Sequence, residues 1–186
     1  DVLYKPVQHS SHIARFGVDL GLFSNIWATH ALWIWGYPDQ AGTKAEETLG
    51  HASKTSHLFT QTVTLAYAAM LNQFRRDVDE VERLAKATMA HSIENGFPYY
   101  HAWAQVLDGW SAAVRGAGEE GITAIRRGVE VLQTMANMRL PYYRYLLADA
   151  CRCSGRIDEA LQAATDAFND IKKADERWWE AELHRL

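Results

Sequence analysis

From Asp19 onward, apolar residues recur at three- and four-residue spacing, the pattern of helices that bury one face. The first run holds Leu20, Leu22, Phe23, Ile26, Trp27, Leu32, Trp33, Ile34 and Trp35. It is apolar around much of its circumference, which predicts a helix buried between neighbours. Gly36-Tyr37-Pro38-Asp39 ends it, with glycine suited to the left-handed residue after a helix and proline to the first turn of the next. A second helix over 38–54 sets Ala41, Ala45, Thr48, Leu49 and Ala52 on one face. The cycle then returns. Leu58–Phe74 is broken at Arg75-Arg76-Asp77 and followed by Val78–Asn95, and Asn95-Gly96-Phe97-Pro98 is a stop-and-restart signal. Helices over 99–115 and 119–138 flank Gly116-Ala117-Gly118, those over 141–154 and 157–174 flank Gly155, and 176–186 opens a fifth pair. Residues 1–17 read as an extended lead-in ending in a short helical piece around 12–16.

The breaks give the period. Gly36, Arg76, Gly116 and Gly155 stand 40, 40 and 39 residues apart. Tetratricopeptide units run to about 34 residues and armadillo or HEAT units to about 40–47. The two-helix layout and the small residues expected at helix crossings (Ala69, Gly109 and Ala148 in first helices; Ala41, Gly121 and Ala160 in second helices) favour the tetratricopeptide type with lengthened helices or loops. The expected fold is therefore all-α: one domain forming a right-handed tetratricopeptide-like solenoid, with repeats at about 18–56, 57–96, 97–139 and 140–175 and a partial fifth over 176–186. No pair can bury both apolar faces alone, and stacking turns those faces into a continuous core. The second repeat has Arg75-Arg76-Asp77 where the others have glycine, which speaks against a shared turn geometry but not against the repeat.

Composition narrows the function classes. The 186 residues are 48% hydrophobic and 23% charged, a globular balance with a sizeable core. Net charge is −4 with both signs interspersed, so no basic stripe points to nucleic acid or an anionic membrane. Apolar runs are interrupted, for instance by Asn25, His30 and Gly36, well short of a membrane span. The two cysteines, Cys151 and Cys153, point in different directions on a helix and cannot easily bridge, which fits a reducing cytoplasm. No signal peptide is read in the first residues, and both ends look like cuts in a longer polypeptide.

Five strings, HIARFGVDLG (12–21), ALWIWGYPDQA (31–41), NGFP (95–98), LPYY (140–143) and ERWWEAELHRL (176–186), carry a resemblance that covers essentially the whole chain. In this order and at these distances they resemble the tetratricopeptide-like C-terminal region of large bacterial signalling proteins. Those proteins carry a predicted signal-transduction ATPase module, often preceded by an adenylate/guanylate cyclase or a transcriptional-activator domain. The resemblance implies a sensor or scaffold arm whose catalytic partners lie elsewhere: no Gly-x4-Gly-Lys-[Ser/Thr] phosphate loop occurs here.

The chemistry-bearing residues form no reactive set. His9 and His12 form an HxxH without further ligands at a diagnostic spacing, and His51, His57, His91 and His101 are scattered, so no metal or cofactor is expected. Arg152 and Arg156 flank the cysteines, yet a packed small hydrophobe is the expected role for at least one of them. Glu119-Glu120 and Asp158-Glu159 fall in the first turns of second helices, where they complement the helix dipole. Nothing groups Ser, His and Asp into a triad, and no enzyme is expected.

The aromatic residues are more informative. Seven Trp, eight Tyr and six Phe are present, and the first helices carry many of them. First helices of a tetratricopeptide stack line the concave groove, where an extended peptide or partner helix docks. Aligning the repeats by their breaks puts Phe23, His30, Trp33, Met70, Trp103, Val106, Trp110, Tyr142, Tyr145 and Asp149 on or near that surface. Most aromatics are expected in the core, with at least two exposed in the groove as anchors. Of Trp178 and Trp179, one should pack on the fourth repeat and the other face outward, leaving an end that can self-associate. The leading expectation is a non-catalytic protein-binding or regulatory module. The alternatives are a small-molecule sensor enclosing a ligand beside His30 and Asp149, or a structural oligomerisation arm.

Overall fold

The computed structural model describes residues 13, 15–136 and 138–186. Among them there are helices and no strand: α1 (Leu20–Ile34), α2 (Pro38–Ala52), α3 (Leu58–Phe74), α4 (Val78–Asn95), α5 (Pro98–Val114), α6 (Gly118–Met135), α7 (Leu140–Cys153), α8 (Ile157–Ala174) and α9 (Glu180–Arg185). Of the expected lead-in, residues 1–12, with the His9–His12 pair, and residue 14 lie outside the described residues; Ile13, Arg15 and Phe16 are helical, and the Gly17 amide donates to the Ile13 carbonyl at 2.9 Å.

Local chemistry sets the ends of the helices. Asp19 caps α1, its Oδ1 accepting from the amides of Gly21 and Leu22 at 3.0 and 3.1 Å. Pro38 and Pro98 open α2 and α5, where a missing amide proton is no loss. At each break inside a pair, the left-handed residue donates to the carbonyl three residues back and the next amide to the carbonyl five back. Gly36 bonds Trp33 and Tyr37 bonds Leu32; Gly116 and Ala117, and Gly155 and Arg156, do the same.

The second repeat corrects the reading of its break. Arg76 takes the same left-handed conformation, with φ 57° against 83°, 101° and 73° at Gly36, Gly116 and Gly155. Its amide bonds Gln73 and that of Asp77 bonds Asn72, so the four turns share one geometry despite the missing glycine. An arginine there carries backbone strain that its side-chain contacts must offset.

Each pair packs antiparallel within itself and against the next pair, and the first helices α1, α3, α5 and α7 also touch in series along the inner side. The architecture is an all-α tetratricopeptide-like solenoid. Small residues hold the crossings: a Cβ on Gly109 of α5 would stand 2.7 Å from the Gly121 carbonyl oxygen of α6. On the outer side Arg156 bridges Glu119 of α6 and Glu159 of α8, which Arg126 also meets. The paired acidic residues in first turns therefore tie neighbouring repeats together as well as facing helix N-termini.

Two boundaries differ from the sequence reading by three residues or more. α6 stops at Met135, with Ala136 extended, and does not reach Met138. The chain after α8 does not resume as a helix at 176. Asp175 is left-handed at φ 53°, and the Glu176 carboxylate accepts the Arg139 amide at 2.9 and 3.1 Å. Residues 175–179 thus stay non-helical, and only the short α9 follows, packed on α7 and α8. No helix among the described residues is long and apolar enough to cross a membrane.

Candidate partner-binding surface

The concave side is narrower than an open groove. Repeats two and four meet across it: the Tyr142 hydroxyl donates to Gln73 Oε1 at 2.9 Å, and the Phe74 and Tyr142 rings lie 5.8 Å apart. Trp179 fills the remaining space, its ring 4.6 Å from Phe74, 5.2 Å from Tyr142 and 5.4 Å from Tyr145. α7 is buried almost throughout: α8 and repeat three pack on it, and the side chains of Gln73, Phe74 and Trp179 close its remaining face.

Most of the residues expected on the inner surface are therefore packed inside it. Met70, Trp103, Val106, Trp110, Tyr142, Tyr145 and Asp149 are buried. His30 is buried as well, with its Nε2 3.1 Å from the Tyr67 carbonyl oxygen and its ring 5.2 Å from both Tyr67 and Phe74. Burial lowers its pKa to about 4, so at neutral pH the imidazole is uncharged and donates from Nε2. Phe23 and Trp33 are half-buried; Trp33 packs on Phe74, and Phe23 meets Trp27 edge-on. Exposed tryptophans on the concave side are Trp27 within α1, Trp35 at its C-terminal end and Trp178.

Two arginines absent from the expected set organise this interior. Arg139 is only 5% exposed, and its guanidinium lies 5.1–5.5 Å from the ring centres of Trp27, Tyr67 and Trp103. It donates to the hydroxyls of Tyr67 and Tyr99. Like Arg76 it is left-handed, at φ 63°. It precedes Leu140-Pro141 as Gly96 precedes Phe97-Pro98, so in both places an arginine stands where a sister repeat has glycine.

Arg76 belongs to the second cluster. Its Nη2 lies 3.0 Å from Asp149 Oδ2, and its guanidinium carbon lies 5.5 Å from the Trp110 ring centre. The same carboxylate accepts from Trp110 Nε1 at 2.9 Å and from Arg152 Nη2 at 2.6 Å. Burial pushes the Asp149 carboxyl up, and the bonds from Trp110 and Arg152 with the charges of Arg76 and Arg152 outweigh it, leaving its pKa below the ordinary range.

Where the concave side reaches solvent, a cavity of about 510 Å³ opens. Trp33, Phe74, Tyr145, Trp178 and Trp179 wall it, and Gln73, Arg76, Glu182 and Arg185 supply polar groups. Ile34, Gly36 and Pro38 form its lip. The lip continues outward as an exposed apolar turn, with Ile34, Trp35 and Tyr37 exposed by 60%, 74% and 50%. Of the expected residues, the cavity brings together Trp33 and Tyr145. The sequence signal that pointed to Arg76 was its place in the glycine series; its side chain's destination was not legible there.

The fold and this mouth define the class: an α-solenoid of stacked helix pairs with an aromatic concave opening. No family model and no curated protein matches the chain in sequence. Among solved structures it is similar to aspartyl phosphate phosphatase F from Bacillus subtilis, with a TM-score of 0.62 at 11% identity over 88% of this chain. The likeness covers 43% of that protein's chain, and at this identity it is a likeness of fold.

Proposed function

We propose that this chain is a non-catalytic regulatory module that takes a protein or peptide partner at the mouth of its concave face. The observation that carries the reading is the continuity between the 510 Å³ cavity and the exposed turn at Ile34, Trp35 and Tyr37. Aromatic anchors beside a pocket, with a few polar groups inside, are the arrangement that captures a partner side chain. The interior polar groups support binding rather than turnover: His30 is neutral and bonded to Tyr67, and Asp149 is held by three donors. The sequence resemblance supplies the context of a cytoplasmic arm of a bacterial signalling protein. Its partner would be another protein or a neighbouring domain of the same polypeptide, and occupancy would regulate an attached ATPase, cyclase or transcription module.

A small-molecule sensor is the second reading, favoured by a cavity volume within the roughly 300–1,000 Å³ of ligand pockets. The apolar turn beyond the cavity favours an extended occupant. Self-association is a third reading, supported by Trp178, 37% exposed at the C-terminal end.

Panning phage-displayed random peptides on the purified chain tests the proposal. Enriched peptides should lose binding to the Trp33→Ala and Ile34→Ser variants and keep it for Leu161→Ser, a change at a residue 63% exposed on α8. Enrichment indifferent to Trp33 and Ile34 would overturn it.

A further inference from the structure

The mouth is short of acceptors. On the cavity wall the guanidiniums of Arg76 and Arg185 face one carboxylate, that of Glu182, and Asp149 lies behind Arg76. Arg185 is already paired with Glu182 beside it. Among the described residues the Arg76 guanidinium meets a single carboxylate, and its side chain remains 41% exposed on the cavity wall.

Arg76 is also not required by the carboxylate it touches. Trp110 and Arg152 already donate to both oxygens of Asp149. The residue nonetheless occupies a left-handed position that three sister repeats give to glycine. A left-handed arginine whose donors are only partly used by its internal partners has donors left for a contact outside the chain. A guanidinium presents a planar fork of donors, several of them free here, which matches a carboxylate in two-point contact.

Resting on the partner-binding reading above, we infer that Arg76 selects the partner: the mouth takes an extended peptide segment that places an Asp or Glu carboxylate on Arg76 and a neighbouring large apolar side chain against Trp33 and Tyr145. The spare donors of the partly exposed Arg76 guanidinium argue for the carboxylate. The exposed turn at Ile34, Trp35 and Tyr37, lying outside the cavity, argues for a segment longer than one residue. Asp149 beneath Arg76 holds the guanidinium at the wall and remains satisfied when Arg76 turns to the ligand.

The phage panning above supplies the probes. Synthetic peptides from the enriched set, each paired with its Glu→Gln or Asp→Asn counterpart, are titrated against wild type, Arg76→Gly and Arg76→Lys. Glycine suits the left-handed backbone, so Arg76→Gly removes the side chain without straining the turn. The expected result is an acidic residue next to an apolar one in the enriched peptides. Affinity should fall roughly tenfold or more in Arg76→Gly and by a smaller factor in Arg76→Lys, with a matching fall for the amide peptides on wild type. Peptides that depend on Trp33 and Ile34 but bind Arg76→Gly as they bind wild type would overturn the role of Arg76 and leave the partner-binding reading standing. Binding that depends on neither would overturn both.

Discussion

Arg76 of the second repeat and Asp149 of the fourth meet at 3.0 Å across the concave face, joining two helix pairs that are not neighbours in the stack. The two partners differ in what they contribute. Arg76 is partly exposed and sits on a strained backbone, whereas Asp149 is wholly buried and holds three donors. Arg76→Gly should therefore change stability by no more than about 1 kcal/mol, since relief of the left-handed strain offsets a screened ion pair. Asp149→Ala should cost about 3 kcal/mol, because it leaves the Trp110 N–H and two guanidiniums without their acceptor. Urea unfolding of the two variants checks the asymmetry.

The crossing of α5 and α6 gives a test with opposite signs at two glycines. Gly109→Ala drives a methyl to 2.7 Å from the Gly121 carbonyl oxygen and should destabilise by about 1–3 kcal/mol. Gly50 lies in α2, where an added Cβ would have nothing within 4 Å, so Gly50→Ala should stabilise by about 0.5–1 kcal/mol. Thermal melts of both variants separate the effects.

That crossing was legible in the sequence, as were the helix pairs. Small residues recurring at the same place in three first helices and three second helices, and breaks spaced 40, 40 and 39 residues apart, are local signals and determine local geometry. The curvature was not legible, because it accumulates from small rotations between repeats that no single residue encodes. Trp103, Trp110 and Tyr142 therefore read as groove residues, and the curvature packs them into the interior. The left-handed Arg76 and Arg139 were hidden for a different reason. Sequence reasoning assigns that conformation to glycine, and the contacts that offset the strain come from residues far along the chain.

The buried histidine makes stability depend on pH. The folded pKa of His30, about 4, lies below its ordinary value of 6.5, so between these values the unfolded chain binds a proton that the folded chain refuses. Its contribution is complete above about pH 6.5 and is lost as pH falls toward 4, amounting to about 3 kcal/mol. Asp149, whose folded pKa is lowered, adds a loss in the same direction at more acidic pH. The urea midpoint should fall between pH 7.5 and pH 5, and His30→Asn should flatten that part of the profile.

The two adjacent tryptophans differ in burial and should differ in cost. Trp179 is 6% exposed and closes the concave face against Phe74, Tyr142 and Tyr145, so Trp179→Ala should destabilise by about 3–5 kcal/mol. Trp178 is 37% exposed at the cavity wall, and Trp178→Ala should cost about 1 kcal/mol. Urea unfolding of both variants checks this difference.

Amide chemical-shift mapping of the chain, titrated with a peptide selected by the panning, tests the central claim most directly. The claim predicts perturbations concentrated at residues 33–38, 73–76 and 178–185, around the mouth of the concave face. Perturbations confined to the outer helices α2, α4, α6 and α8 would contradict it.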